Sequence, residues 1–254
     1  MFTTIRYVLM TAIRDRLFAG LIAGILFATG VSAAMGSTAM LEPQQMTLAF
    51  TSAAARIIVM LGIIVFIAFH IRSAFENREI DLLLSRPISR SKLILSYWLG
   101  FGVVASLLCI PVMAVLALLG ILDVKGYAIW CGSLLLESWL VVSMALFAAV
   151  TLKSGVVTVL ASLGFYTLSR MMGFFVLTSK SGILFENPIL TFTMRWIIKV
   201  ISVLVPRVDF FGKGSWLLYG TQGLEALWLY LAQGMIFIPL LVAATMIDFS
   251  RKQF

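Results

Sequence analysis

Three charged residues stand where charge is expensive. Arg56, Glu137 and Arg170 each fall inside an apolar run long enough to cross a bilayer. On insertion scales a charged side chain at the bilayer centre costs ~2.5–3.5 kcal/mol, so such residues face inward, pair with one another or line a polar path. Counted from the ends of their runs, all three lie in the outer half of the membrane, and Glu137 is placed to pair with Arg56 or with Arg170. One reading is an ion pair that locks the bundle. Another is a polar substrate path or a gating contact. In a third, Arg56 snorkels to the surface. His70 is the one histidine and sits at a run end, where an interfacial role is expected over a proton relay or a ligand. Cys109 and Cys131 lie inside apolar runs and read as small buried hydrophobes, without a disulfide framework. Gly212-Lys213-Gly214-Ser215 lacks the upstream glycine and the strand–loop–helix setting of a phosphate-binding loop, and reads as a polar turn. No His, Asp or Cys cluster suits metal or nucleophilic chemistry, so no catalytic residue and no metal site is assigned.

The elements that must hold these residues follow from composition. The chain has 254 residues, 61% hydrophobic and 12% charged, with mean hydropathy +1.07. Soluble domains carry ~25% charged residues. An enzyme domain free in the cytosol is therefore excluded. Apolar runs at 17–40, 50–71, 93–122, 127–152, 156–177 and 224–247 predict an all-α integral membrane protein. These are six transmembrane helices in one domain covering 1–254. The first run carries Gly20, Gly24 and Ala28, a spacing that permits close helix approach. It is too long for a signal peptide and is expected to stay in the membrane. Polar or tight turns are expected at Glu42–Gln45, Asp123–Gly126 and Lys153–Gly155, with a kink at Pro111.

Two amphipathic segments lie outside the spans. In residues 1–16, Ile5, Leu9, Ala12 and Ile13 share one helical face and Arg6 and Arg14 lie off it, as in an interfacial helix. In the outer segment 178–223, Thr191, Arg195, Lys199 and Ser202 form a polar stripe, which predicts an amphipathic helix on or in the outer leaflet over Pro188–Pro206. A seventh span is the alternative there. Phe210 and Phe211 then lead toward the last span as interface anchors.

The net charge of +8 is read as basic inner loops meeting anionic lipid, with no nucleic-acid partner. Arg6, Arg14, Arg16, Arg72, Arg78, Arg86, Arg90, Lys92, Lys153, Arg251 and Lys252 gather on one side of a six-span chain, which predicts that both termini are cytoplasmic.

The connection between the second and third spans carries the clearest functional signal. Over 73–90 it holds Glu76, Glu79 and Asp81 beside Leu82-Leu83-Leu84, with Arg86, Pro87 and Arg90 following. A solvated loop has no use for that apolar block. Ser73 and Glu76 have capping-box spacing, Pro87 ends a helix, and Ser89 or Ser91 fits the cap of the next span. This predicts a short cytoplasmic helix with an apolar patch and a charged rim.

Glu76, Ile80-Asp81-Leu82-Leu83-Leu84-Ser85 and Pro87-Ile88-Ser89-Arg90 together resemble the first cytoplasmic loop of ABC-2 type transporter permeases. The resemblance covers this loop in sequence and nearly the whole chain in architecture. It implies the permease subunit of a bacterial ATP-driven exporter in the cytoplasmic (inner) membrane. It further implies a second permease copy, in a homo- or heterodimer, and a separate ATP-binding subunit that holds ATP and magnesium. The chain itself would then carry no cofactor and hydrolyse nothing. Glu76, Glu79, Asp81, Leu83, Arg86, Pro87 and Arg90 would belong to the coupling helix that touches the ATPase. Arg78-Glu79 stands where many members carry Gly-Thr, so the resemblance names no cargo. A lipid-modifying membrane enzyme and a membrane assembly factor are the alternatives.

Overall fold

In lipid, a chain with no strand pattern satisfies its backbone polar groups by helix formation. The computed structural model describes residues 2–14, 17–38, 42–77, 89–181, 188–220 and 225–251, and their regular elements are all helical. They are α1 (Phe2–Arg14), α2 (Leu17–Ser37), α3 (Pro43–Glu76), α4 (Arg90–Leu119), α5 (Val124–Thr151), α6 (Gly155–Ser181), α7 (Pro188–Leu204), α8 (Gly214–Tyr219) and α9 (Glu225–Arg251). A single 3-10 turn, Val208–Phe210, lies between α7 and α8. Six helices, α2 to α6 and α9, are long and apolar enough to cross a membrane. The chain thus has the build of a multi-pass membrane protein.

α3 and α5 are the most buried and form the centre. α4, α6 and α9 pack around them, and α2 lies along α3. The outer helices expose large apolar side chains such as Phe27, Leu160 and Met235, as lipid-facing helices do. α4 and α5 are stitched by two indoles. Trp98 Nε1 donates to Ser143 Oγ at 2.8 Å and Trp139 Nε1 to Ser106 Oγ at 3.0 Å. The two rings meet edge to face at 4.9 Å. The outer edge of the Trp139 ring lies against Gly102, where any added Cβ would fall within 3 Å of three ring carbons.

Several helix ends differ from expectation. Glu42–Gln45 is not a turn: Pro43 opens α3, because proline at the first helical position gives up no hydrogen bond. Ser73 does not start a helix either. α3 runs unbroken through it to Glu76, and Arg72 and Glu76 pair at 2.7 Å along the same helix. Asp123 is the N-cap of α5, with its carboxylate accepting from Gly126 N at 2.7 Å, so the turn lies just before it. Ser89 caps α4 by accepting from Lys92 N. α4 continues through Pro111.

Two elements were expected at membrane surfaces. α1 is helical, with Val8 and Ala12 fully buried and Arg6 and Arg14 exposed. Its inner face packs on α4, where Val8 and Ile5 meet Gly100. α7 contacts α6 and exposes Phe192, Trp196 and Val200 as well as Arg195 and Lys199.

One end of the bundle gathers the last turn of α3, the start of α4, the α5–α6 connection and the end of α9. Arg90 Nη1 donates to Ser250 O at 3.0 Å, Thr151 lies 3.3 Å from Asp248, and Gly155 sits against Phe69 and Arg72. The opposite end holds the α4–α5 turn and α8, where Gln44 Nε2 donates to Leu119 O.

Candidate functional site

The three intramembrane charges meet in one buried cluster. Glu137 sits at the middle of α5 and is fully buried. Arg56, from α3, is 3% exposed and places Nε 3.6 Å from Glu137 Oε2. Arg170, from α6, is 36% exposed and places Nη1 3.9 Å from Glu137 Oε1. The Tyr166 hydroxyl donates to that same oxygen at 2.8 Å. Glu137 therefore engages both arginines, where spacing alone left one or the other. Arg56 does not snorkel.

Both guanidiniums also bond to one short connecting segment, the 3-10 turn at Val208–Phe210 and the two residues after it. Arg170 Nη1 donates to the carbonyls of Val208 and Phe211, each at 3.0 Å. Arg56 donates to the carbonyl of Phe211 through Nη1 and to that of Gly212 through Nη2. Arg56 also lies over the Trp130 ring, 5.2 Å from its centroid. The segment is held in place by Ser133 Oγ, which accepts from Gly212 N at 3.0 Å, and by Phe211, which is fully buried against Tyr230. Gly212 has φ +50, and a Cβ there would overlap the Arg56 guanidinium. Only glycine lets the backbone approach the cation in this left-handed conformation.

Phe211 is thus a core residue and not an interface anchor. Gly212 belongs to the clamp over Arg56, and Gly214 opens α8. Phe210 lies under Arg207, 4.1 Å from the guanidinium carbon, and Arg207 pairs with Asp209 at 2.7 Å. The cluster therefore has two cations against one carboxylate, with carbonyl dipoles supplying the other acceptors. Chemically it can hold a fixed electrostatic contact among α3, α5, α6 and the 208–212 segment, or present positive charge to a visiting anion.

Tyr166, Ser133 and Trp130 were not picked out from the sequence, although a signal existed. Tyr166 lies four residues before Arg170, and Ser133 and Trp130 lie four and seven before Glu137. Each therefore shares the helical face of a charge. The carbonyls of Val208, Phe211 and Gly212 carry no such signal.

Of the coupling residues, Glu79, Asp81, Leu83, Arg86 and Pro87 lie outside the described residues. Glu76 is 58% exposed and paired with Arg72. Arg90 ties the start of α4 to the end of α9. His70 lies near the end of α3. It is 9% exposed and packed among Tyr7, Phe66, Tyr97 and Phe101, with ring centroids 5.4–6.2 Å away. Cys109 is buried and Cys131 half-buried, both free thiols. Among the described residues no group of three His, Cys, Asp or Glu side chains is disposed to hold a metal.

No protein-family model matches the chain, and no curated protein matches it.

Proposed function

We propose that this chain is the permease subunit of an ATP-driven transporter of the ABC-2 type. In this reading it forms half of a transmembrane path and is moved by a separate ATP-binding subunit. Both termini and the 73–90 connection face the cytoplasm, α1 rests at that surface, and a second permease copy completes the path. The observation that carries the reading is the continuity of α3. One unbroken helix holds Arg56 in the buried cluster and Glu76 at the mouth of the loop with the Leu82-Leu83-Leu84 block. A push on that loop is passed along a rigid rod to the ion cluster, about 30 Å away at 1.5 Å per residue. The loop composition, an apolar patch rimmed by acids, has the anatomy of a docking site. Glu79 and Asp81 are its charged contacts and Leu83 its apolar anchor.

The test is co-expression with the ATPase encoded nearest to this chain. Glu79→Arg combined with Asp81→Arg is expected to weaken ATPase capture or to uncouple hydrolysis from transport, with membrane insertion intact. Normal coupled transport in the double variant, with the ATPase still bound, would refute the coupling assignment. Hydrolase activity of the purified chain alone, on lipid and without ATPase, would favour the lipid-modifying alternative.

A further inference from the structure

Arg170 is held by its own chain on one side only and stays partly exposed where charge is expensive. α6 runs from Gly155 to Ser181, so Arg170 lies about 22 Å from one end and about 16 Å from the other at 1.5 Å per residue. That is close to mid-membrane for a hydrocarbon core of ~30 Å. Yet 36% of its side chain is exposed, on a helix whose neighbouring positions Leu168, Met171 and Phe174 are exposed and apolar. A charge at that depth faces a polar cavity or a counter-ion. The two hydrogen bonds to Val208 and Phe211 and the approach to Glu137 all use Nη1. The guanidinium is thereby fixed in orientation by one nitrogen, and among the described residues the rest of its fork has no acceptor, the geometry that recognises phosphate or carboxylate.

The surrounding charges do not cancel. Among the described residues, Glu137 is the one acid within ion-pair distance of Arg56 and Arg170. Arg207 and Asp209 neutralise each other, and Lys213 lies 5.9 Å from the Phe210 ring. Among the described residues, a second copy of the chain offers no further acid in the middle of a span. Glu137 is fully buried, and among the described residues the other acids, Glu42, Glu76, Asp123, Asp209, Glu225 and Asp248, lie at helix ends or in connections.

We propose that Arg170, backed by Arg56 and fixed by the 208–211 carbonyls, is a binding site for an anionic group on the transported molecule, a phosphate or a carboxylate. The proposal deepens the transport reading by naming a cargo chemistry, and rests on that reading for the word cargo. Binding is measured on the chain alone, so a failure here leaves the ATPase pairing untouched, and the reverse.

The purified chain in phosphatidylcholine nanodiscs is titrated with dodecyl phosphate, inorganic phosphate and dodecanol, and followed by tryptophan fluorescence and by the thermal midpoint. Dodecyl phosphate is expected to bind and raise the midpoint, and dodecanol is not. Arg170→Gln is expected to weaken binding at least about tenfold, the worth of one charge-assisted hydrogen bond. Thr167 is exposed and three residues before Arg170, within side-chain reach on one helix. Thr167→Glu therefore supplies an internal counter-charge. It is expected to abolish phosphate binding while raising the ligand-free midpoint, which keeps the test decisive if Arg170→Gln fails to fold. Arg195→Gln with Lys199→Gln, on the exposed face of α7, should bind as wild type. Inorganic phosphate matching dodecyl phosphate assigns the site to a soluble anion, and response to dodecyl phosphate alone assigns it to an amphiphile. Wild-type protein that binds neither phosphate, undiminished binding in Thr167→Glu, or loss in the α7 variant would overturn the site.

Discussion

Glu137→Ala removes the one carboxylate that serves two arginines and a tyrosine. Breaking a buried ion pair by deleting one partner costs ~3–5 kcal/mol, because the remaining charge stays buried and unpaired. The Tyr166 hydroxyl, left without its 2.8 Å acceptor, adds about 1–3 kcal/mol. The two terms overlap, since both report loss of the same group, and a net loss of ~4 kcal/mol is expected. Glu137→Gln keeps an acceptor for Tyr166 and should cost less. The arginines should differ. Arg56 is 3% exposed and approaches Glu137 at 3.6 Å, whereas Arg170 is 36% exposed at 3.9 Å. Combining Glu137→Ala with Arg56→Ala should therefore recover a substantial part of the loss. With Arg170→Ala the recovery should stay within ~1 kcal/mol, the range of screened pairs. Unfolding in mixed micelles titrated with dodecyl sulfate gives the free energies, and double-mutant cycles isolate each pair. A Glu137→Ala protein within ~0.5 kcal/mol of wild type, or a stronger coupling to Arg170 than to Arg56, would refute the reasoning.

Gly212→Ala should destabilise by at least ~2 kcal/mol, combining left-handed strain with loss of the Arg56 carbonyl contacts; an unchanged unfolding curve would remove the clamp from the stability argument. Gly102→Leu should overpack the Trp139 ring by ~1–3 kcal/mol and shift the tryptophan emission, and native emission with native stability would contradict the close approach. Reporters fused at Phe254 and within Glu42–Thr47 should report opposite sides of the membrane, and an external signal at Phe254 would sink the cytoplasmic placement of the termini.

The spans were legible because lipid demands long apolar runs, and only Pro188–Pro206, broken by Arg195 and Lys199, competed with that signal. Their ends were less so. Pro43 reads as a turn in isolation but is equally at home as the first helical residue. Ser73 and Glu76 match a capping box, yet the same letters inside a continuing helix produce the Arg72–Glu76 pair. The meeting of Arg56, Glu137 and Arg170 was legible in part, since depth along a helix can be counted. What closes the cluster could not be read. Its acceptors are main-chain oxygens of Val208, Phe211 and Gly212, and every residue has one. The packing of His70 was hidden for a related reason. A lone histidine near a helix end does not show that α1 will fold Tyr7 over it.

The indole pair between α4 and α5 has a mechanical consequence. Sliding one helix along the other by a single residue, ~1.5 Å, would break both the Trp98–Ser143 and the Trp139–Ser106 bonds and drive Trp139 off the notch at Gly102. These two bonds, each worth ~1 kcal/mol, oppose shear together with the notch, and the two helices are expected to travel together. Changes of shape in the bundle are then expected at seams that lack such pins. Distance measurements across the α4–α5 seam should stay constant in every state the protein visits, and that seam is a sound reference frame against which to measure motion of the other helices.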